Sequence, residues 1–565
     1  MSKLETIQKQ VMWNRLVSVV EEQAQTLVRT AFGAATREAG DLSAGVFLPD
    51  GRMVAQAVTG TPGHVNSMAE SVKYFLEEYP VESMVPGDVF LTNDPWKATG
   101  HLNDLTMVTP VFKSKRMVAL FASTVHVVDI GGLGLSADGT QIYHEGLFIP
   151  IIRLVSRGRM DETVLRMIRA NVREPVQVEG DIYGLVACNE VGGRRLLAMM
   201  DEYGLRDIRA LSEHIIKRSH SAMLAAIREW PEGRWSYSMT TDGYDAPITL
   251  AGALKISKGG IDIDFAGSSS VVTHGINVPK SYTDAYTSFG VRCIIGPHIP
   301  NNAGSLSAVR VAAPEGSILN APFPIAVAAR SIVGQMLPDI VFGCLRQALP
   351  GKVPAENSSA LWNLRLAGGQ AIQGVKTEEL RGMTRFNVNG FNTGGTGARP
   401  NKDGLSVTSF PSGVRNVAVE IMETLSPIVF WRKEYRPDSG GAGKHRGGLG
   451  QMMEISNGEP APMIISATFD RIKHPARGCD GGGNGGAGRV SLKLGGSLRG
   501  FGRQVIPAGD RVVIETPGGG GIGDPKQRPR EKVAQDVKNG LVTPEQATRV
   551  YGFDGSAPHG SDVPG

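Results

Sequence analysis

Cysteine is scarce in this chain of 565 residues, which has only four: Cys188, Cys293, Cys344 and Cys479. They lie far apart, and no two of them form a Cys-x-x-Cys pair. This spacing predicts neither a zinc knuckle nor a disulfide framework. A reducing compartment fits such cysteine usage best.

Other features are missing as well. No apolar run reaches the ~18 residues needed to cross a bilayer, and the N-terminal residues lack the apolar core and cleavage site of a signal peptide. We therefore expect a cytoplasmic protein that does not insert into membranes. Lys and Arg (59) barely outnumber Asp and Glu (55), and no basic cluster with interleaved aromatics occurs, so nucleic acid is not an expected partner.

The sequence also lacks a complete motif for a nucleotide-binding loop. The sequence has no Gly-x-x-x-x-Gly-Lys-Ser/Thr loop, since Gly443-Lys444 is followed by His445. Gly518, Gly520 and Gly523 satisfy Gly-x-Gly-x-x-Gly, but no second strand completes a dinucleotide-binding unit. We therefore do not assign ATP binding to this chain and expect these glycines to have a packing role.

Hydrophobic periodicity and turn chemistry predict the first elements. Apolar residues at helical spacing predict one helix over Val11–Val28 and another over Ser67–Glu78. Pro49-Asp-Gly51 is a turn signal between two apolar runs, which predicts a strand on either side of it. The predicted strands are Leu42–Leu48, Arg52–Gln56, Val89–Leu91 and Met117–Ile130, with a polar loop over Thr92–Asp104.

The chain changes in character along its length, which indicates several subdomains. With 41% hydrophobic residues it can bury a sizeable core, and its 72 glycines predict many turns, above all in the C-terminal half. We expect a mixed α+β fold with several layers, interwoven subdomains and a glycine-rich β-type C-terminal half. The predicted parts are 1–160 (α/β, with the candidate site), 161–235 (helical), 236–380 (α/β), 381–525 (glycine-rich, β-type) and 526–565 (C-terminal helices and tail).

Two His-x-x-Asp steps carry the main chemical signal, His101-Leu-Asn-Asp104 in the polar loop and His126-Val-Val-Asp129 at the end of a predicted strand. Neutral imidazole and carboxylate are ligands for zinc, manganese or iron, and a loop beside a strand end can bring such groups together. Asp41, at the start of another strand, could complete the set. The alternative interpretation is that these residues form turns and caps.

Eleven short stretches resemble landmarks of the hydantoinase B/oxoprolinase family, and they occur in the family's order. The N-terminal ones are Asn14-Arg-Leu-Val-Ser18, Leu27-Val-Arg-Thr30, Asp50-Gly-Arg52, Thr92-Asn-Asp-Pro95, Gly100-His-Leu-Asn-Asp104, Asp129-Ile-Gly-Gly132 and Tyr143-His-Glu-Gly146. The C-terminal ones are Pro437-Asp-Ser-Gly-Gly-Ala-Gly443, Arg446-Gly-Gly-Leu-Gly450, Thr516-Pro-Gly-Gly-Gly-Gly521 and Gly523-Asp-Pro525.

The resemblance implies a divalent metal held by Asp41, His101, Asp104 and His126. The segment before Asp41, Thr36-Arg-Glu-Ala-Gly-Asp41, departs from the family's pattern, which usually has bulkier charged residues there. Such a metal would polarise an amide carbonyl and activate water for attack on the ring carbon. A further group must carry the proton to the leaving nitrogen. Our candidates are Glu145 first and then His64, Asp94 and Asp129; Asp129 could instead orient a metal-binding histidine, and each of the four could have a purely structural role.

The resemblance also implies how the work is divided between subunits. An A-type subunit with an actin-like fold would use ATP to phosphorylate the carbonyl of a cyclic amide, and the present chain would hydrolyse the activated ring in a hetero-oligomer. One alternative is the related carboxylase branch, in which the metal subunit joins an enol derived from a phosphorylated ketone to carbon dioxide. A second alternative is a non-catalytic scaffold that only assembles the ATP-using subunit.

Overall fold

The structure is a computed structural model that describes residues 3–359, 361–369 and 380–555. Its helices are α1 (Lys3–Thr30), α2 (Ala34–Arg37), α3 (Pro62–Glu78), α4 (Glu162–Asn171), α5 (Pro175–Glu202), α6 (Arg209–Ile227), α7 (Lys280–Ile294), α8 (Ala303–Leu306), α9 (Ser331–Gly334), α10 (Leu337–Ala348), α11 (Val419–Leu425), α12 (Arg530–Lys538) and α13 (Pro544–Tyr551).

The strands are β1 (Leu42–Phe47), β2 (Met53–Gln56), β3 (Val89–Thr92), β4 (Asp104–Lys113), β5 (Arg116–His126), β6 (Ile152–Ser156), β7 (Arg159–Met160), β8 (Gly233–Thr241), β9 (Ile248–Ser257), β10 (Gly260–Asp264), β11 (Val309–Ala312), β12 (Leu361–Gly368), β13 (Phe386–Thr393), β14 (Ile428–Tyr435), β15 (Gln451–Asn457), β16 (Met463–Thr468), β17 (Arg489–Leu492), β18 (Phe501–Ile506) and β19 (Val512–Glu515). This content confirms the predicted mixed α/β fold.

Internal contacts divide the chain into two compact units, each built from three separate stretches. Unit 1 comprises the described residues within Met1–Tyr237, Leu250–Val341 and Ser412–Val417. Unit 2 comprises those within Ser238–Thr249, Phe342–Pro411 and Ala418–Gly565. The five predicted parts stay a prediction, and their residues 1, 2, 360, 370–379 and 556–565 lie outside the described chain.

A seven-stranded antiparallel sheet forms the centre of unit 1, in the order β2-β1-β5-β4-β3-β6-β7. Successive side chains of a strand point to opposite faces, so each strand contributes to two cores. In β1, Val46 packs with residues of α1, α5 and α6, whereas Phe47 packs with residues of α3. The sheet is therefore covered by helices on both faces, which explains why its strands are apolar almost throughout.

The predicted helices and strands of unit 1 differ from the structure at several points. The first helix is longer than predicted, and α3 begins at Pro62 rather than at Ser67, because Pro is favoured in the first turn of a helix. The prediction omitted β4, which follows directly on the polar loop at Asp104. At the C-terminus, the Thr543 hydroxyl accepts from the amide of Gln546 and so caps the start of α13.

The remaining strands form three four-stranded sheets, with the orders β11-β10-β9-β8, β13-β12-β16-β18 and β14-β15-β19-β17. The last two lie in unit 2 and give it the β-type character that was expected. In the part of the chain that the structure describes, no helix is both long and apolar enough to cross a membrane.

The glycines of unit 2 do more than form turns. Residues 516–521 are neither strand nor turn, and the amides of Gly518, Gly519, Gly520 and Gly521 donate to the carbonyls of Gly486, Gly448, Glu356 and Gly483 in turn. The first and the fourth of these amides donate to the same neighbouring segment, 483–486. This repeat of three residues is that of a polyproline II helix. A Cβ on Gly520 would lie 2.1 Å from the carbonyl oxygen of Arg477, so only glycine fits. The packing role predicted for this cluster agrees with these contacts.

Candidate metal centre

Three of the predicted ligands lie at neighbouring strand ends of the unit 1 sheet. Asp104 is the first residue of β4 and is paired directly with His126, the last residue of the antiparallel β5. Leu42 of β1 is paired with Val125, so Asp41 comes beside His126, whose amide donates to the carbonyl of Asp41. Antiparallel pairing therefore brings together the residue before β1, the first residue of β4 and the last residue of β5 at one end of these strands.

Two further histidines reach the same place from other elements. His101 lies in the loop that precedes β4, three residues before Asp104. His64 lies in the first turn of α3, the helix that packs against β1, β4 and β5. His64 was predicted only as a proton carrier, yet the structure places it in direct contact with two of the predicted ligands, Asp41 and Asp104.

Asp104 lies at the centre of the cluster, because each of its carboxylate oxygens contacts several partners. Its Oδ1 lies 2.7 Å from Nε2 of His101 and 3.0 Å from Nδ1 of His126. Its Oδ2 lies 2.9 Å from Nε2 of His64 and accepts from the Thr99 hydroxyl at 2.9 Å. Asp41 is more distant, with 3.5 Å between its Oδ1 and Nδ1 of His64 and 3.9 Å between its Oδ2 and Nδ1 of His126.

The environment sets the protonation of these groups. All five side chains are buried. Burial and the positive charge of Arg330 lower the pKa of His101 to about 3, so its imidazole is neutral. Burial opposes charge on His64 as well, but the carboxylates of Asp104 and Asp41 outweigh it and raise the pKa of His64. Burial would raise the pKa of Asp104, but the positive charges of His64 and of the Arg330 guanidinium hold it well below its usual range.

A hydrogen bond fixes which nitrogen of His101 can act as a ligand. Its Nδ1 lies 2.8 Å from the carbonyl oxygen of Ala328. Because a carbonyl can only accept, Nδ1 carries the proton, and the lone pair of Nε2 faces Asp104. Metal-binding histidines commonly have this arrangement, in which the second nitrogen donates to a carbonyl or carboxylate.

The donor set fits a divalent metal. His101, Asp104 and His126 each offer one ligand atom, and these atoms all lie within 4.8 Å of one another. Two imidazoles with one or two carboxylates form the kind of nitrogen and oxygen site that zinc, manganese and iron occupy. Asp41 and His64 border the same cluster, so the group could supply further ligands or a proton carrier.

Sequence reasoning missed Arg330, which lies in unit 1 just before α9. Its guanidinium donates to Oδ2 of Asp104 at 2.6 Å and, through Nε, to the carbonyl of Thr99 at 2.8 Å. It also lies over the ring of Tyr282, 4.2 Å from the centroid. A buried arginine among ligands gives no local sequence pattern, and Arg330 is separated from Asp104 by 226 positions.

The other three predicted proton carriers lie outside the cluster. Asp94 closes a turn, since its Oδ1 accepts from the amide of Trp96 at 2.9 Å. The buried carboxylate of Asp129 forms an ion pair with Arg173 and accepts from the backbone amide of that residue. Glu145 is also buried and accepts from the backbone amides of Val327 and Ala328. These contacts favour a structural role for Asp94 and Asp129 and connect Glu145 to the backbone that precedes Arg330.

A model of one protein family matches residues 5–525, and the description of that family is hydantoinase B/oxoprolinase. The chain belongs to this family. The landmarks quoted from the sequence are thus those of a true member, and they span the matched range almost from end to end.

Relatives within this family match along the whole chain. A Pseudomonas sp. protein, provisionally named as the B-type chain of a D-/L-hydantoinase, is 27% identical, and the match covers 98% of this chain and 95% of that protein. The β subunit of the caprolactamase of Pseudomonas jessenii is 28% identical over 98% of this chain and 96% of its own length.

Two solved structures show the same fold. The crystal structure of the ATP-dependent caprolactamase from Pseudomonas jessenii superposes with a TM-score of 0.88 at 26% identity, covering 98% of both chains. A nucleotide-free structure of acetone carboxylase superposes with a TM-score of 0.82 at 19% identity, covering 97% of this chain and 79% of that one. The second likeness shows the fold alone.

Proposed function

We propose that this hydantoinase B/oxoprolinase family member is the metal-dependent subunit of an ATP-dependent cyclic amide hydrolase. The observation that carries the proposal is the single buried cluster of Asp41, His64, His101, Asp104 and His126 at one end of β1, β4 and β5. The end-to-end match to a caprolactamase subunit supports a hydrolase that acts on a ring amide.

In this proposal Asp41, His101, Asp104 and His126 hold the metal. A divalent metal bound there would supply Lewis-acid chemistry, which polarises a carbonyl group and activates water. Arg330 and Thr99 hold the second oxygen of Asp104 and so fix the orientation of its carboxylate. The Ala328 carbonyl keeps the proton of His101 on Nδ1, which leaves Nε2 as the ligand atom.

His64 is the best placed proton carrier among the candidates. Ring opening adds water to the phosphorylated carbonyl carbon and breaks its C–N bond, with a proton passing to the departing nitrogen, and a second water then releases the phosphoryl group as inorganic phosphate. One group must therefore accept a proton and deliver it. Imidazole suits both steps near neutral pH. His64 lies between the carboxylates of Asp41 and Asp104, which stabilise its charged form.

The proposal includes a partner and a cytoplasmic hetero-oligomer. An A-type subunit would use ATP to phosphorylate the carbonyl oxygen of the cyclic amide, because an unactivated ring amide resists hydrolysis. The chain name of the caprolactamase relative, a β subunit, supports a second subunit here. Hydantoins, 5-oxoproline and lactams are the substrate classes to test.

The experiment is reconstitution with the A-type partner. We expect the purified complex to hold close to one divalent metal per copy of this chain and to release an amino acid from one of these rings only when ATP is present. The chain alone should bind metal but should not open the ring. A complex without bound metal that still opens rings would overturn the assigned role of the cluster.

The same reconstitution tests the carboxylase alternative, in which a ketone takes the place of the ring amide. A chain that joined a ketone to bicarbonate would incorporate labelled carbonate and release no amine. We favour the hydrolase because the chain covers 98% of the caprolactamase chain but only 79% of the acetone carboxylase chain. A scaffold would be indicated if loss of His101 and His126 left turnover unchanged.

A further inference from the structure

Glu145 holds a short piece of backbone beside the metal centre. Its Oε1 accepts from the amides of Val327 and Ala328 at 2.7 and 2.8 Å. The side chain is 1% exposed, and its Oε2 has no hydrogen-bond partner among the described residues. A buried carboxylate that accepts from two consecutive amides fixes the position of the peptide that carries them.

This segment contacts two of the four proposed ligands, one through a backbone carbonyl and the other through a side chain. The carbonyl of Ala328 accepts from Nδ1 of His101 at 2.8 Å, and two residues later Arg330 donates to Oδ2 of Asp104 at 2.6 Å. Between them, the amide of Ala329 donates to the carbonyl of Gly275 at 2.7 Å. Residues 327–330 thus connect Glu145 to the ligands through hydrogen bonds and the covalent chain between them.

Glu145 is connected to His101 through Nδ1, whereas the proposed metal would bind Nε2. The peptide of Ala328 separates the Glu145 carboxylate from Nδ1 of His101, while Nε2 faces Asp104. A group behind the ligand cannot easily reach a reacting atom in front of it. This arrangement argues against Glu145 as the proton carrier and for an indirect role.

We propose that Glu145 is a positioning residue, which orients His101 for metal binding by fixing the Ala328 carbonyl and supports Asp104 through Arg330. This inference rests on the proposed metal centre. Outer partners of metal-binding histidines set the ring orientation and the tautomer, and their loss typically weakens metal binding about 10- to 100-fold. The proposal extends this relationship to a residue one peptide farther away.

Two variants of Glu145 distinguish the role of its hydrogen-bond acceptor from the role of its charge. Glu145→Gln keeps a carbonyl oxygen that can accept from both amides, so its metal affinity should stay within about threefold of wild type. Glu145→Ala removes the acceptor, so its affinity should fall about 10- to 100-fold. The affinity for Zn²⁺ would be measured by competition with a chromophoric chelator, and the visible spectrum of the Co²⁺-loaded protein would report the ligand geometry.

Asp88 provides a matched control for general loss of stability. Its buried carboxylate also accepts from two backbone amides, those of Arg157 at 3.0 Å and Val85 at 3.1 Å, but it has no contact with the cluster. Asp88→Ala should lower the melting temperature and leave the Zn²⁺ affinity and the Co²⁺ spectrum unchanged. A purely structural role for Glu145 predicts this same behaviour for Glu145→Ala.

If Glu145→Ala fails to fold, Gly275→Ala tests the same contact more gently. A Cβ on Gly275 would lie 3.0 Å from Oε1 of Glu145, so the carboxylate must shift by a few tenths of an ångström. We expect weaker Zn²⁺ binding and an altered Co²⁺ spectrum in a folded protein. The inference would be overturned if Glu145→Ala and Gly275→Ala both kept the wild-type Zn²⁺ affinity and Co²⁺ spectrum. If Glu145→Ala does not fold, the same result for Gly275→Ala alone would overturn it. Either result would leave the proposed function standing. Wild-type protein that binds no metal would overturn both.

Discussion

Asp104 and His126 face each other as a register pair of β4 and β5, with Oδ1 of the aspartate 3.0 Å from Nδ1 of the histidine. Their proximity is set by the backbone hydrogen bonds between two interior strands of the sheet, not by flexible side chains. Such a site is organised before a metal binds, so little conformational freedom remains to be lost on binding.

Metal binding should therefore stabilise the fold. At a free metal concentration 100 times the dissociation constant, the free energy of unfolding should rise by about 2.7 kcal/mol. His126→Ala should abolish this gain, whereas His298→Ala, which removes an exposed histidine, should keep it. Urea unfolding with Zn²⁺ and with a chelator measures the difference. Equal gains in the two variants would refute the assignment of His126 as a ligand.

His64 can be tested for its role as proton carrier by replacing it with glutamine. His64→Gln should retain the metal but lose the proton transfer, which contributes about 10²- to 10⁴-fold to a rate. Turnover of the reconstituted complex and metal content would be measured on the same preparation. Loss of metal together with turnover would show that His64 is a ligand instead, and unchanged turnover would exclude both roles.

Arg330 should be important for stability as well as for the site. Arg330→Met would leave the buried Asp104 carboxylate without its guanidinium partner, and breaking a buried ion pair in this way costs about 3–5 kcal/mol. Arg310→Ala is the control, because its ion pair with Asp262 is about half exposed and such pairs contribute at most about 1 kcal/mol. Urea unfolding of the metal-free proteins measures both, and similar losses in the two variants would contradict the prediction.

Glu145 should give the stability a particular pH dependence. Burial raises the pKa of Glu145 from 4.5 to about 8, although the two amides and Arg330 act in the opposite direction. The folded state thus binds this proton more tightly than the unfolded state does. The resulting stabilisation is complete below about pH 4.5 and is lost as the pH rises to about 8.

Glu145→Gln has no proton to lose, so it isolates this effect. The free energy of unfolding of the wild type relative to Glu145→Gln should fall across that pH window by at most about 1.4 kcal/mol per pH unit. Urea titrations of both metal-free proteins at a series of pH values measure the difference. A difference that does not change with pH would show that the Glu145 carboxylate is ionised throughout.

The sequence supports prediction of the site only as far as local patterns reach. Asp41 and His126 could be placed at strand ends because most residues of β1 and β5 are apolar and neither strand contains proline. The strand that begins at Asp104 escaped notice because Thr106, Thr109 and Pro110 interrupt its apolar run. Proline is rare in an interior strand, yet Pro110 is paired there with Leu120.

The hydrogen bonds that orient the ligands could not be predicted from the sequence, since they join residues that are distant along the chain. The contacts of Arg330 with Asp104 and of Ala328 with His101 each span more than 220 positions. No spacing rule relates such residues, and alanine offers only its backbone carbonyl. The ligand types could therefore be predicted, whereas the groups that orient them required the fold.

The glycine-rich segment of unit 2 should be so closely packed that one added methyl group destabilises the fold severely. In Gly520→Ala the new Cβ would lie 2.1 Å from the carbonyl oxygen of Arg477, in a place where neighbouring backbone leaves no flexible side chain to move. We expect a loss of more than about 4 kcal/mol or no soluble protein. In Gly259→Ala the nearest atom, Oγ of Ser257, is 3.9 Å away, so the change should stay within about 0.5 kcal/mol. Soluble yield and urea unfolding compare the two, and a stable Gly520→Ala protein would mean that the glycine segments are not packed backbone against backbone.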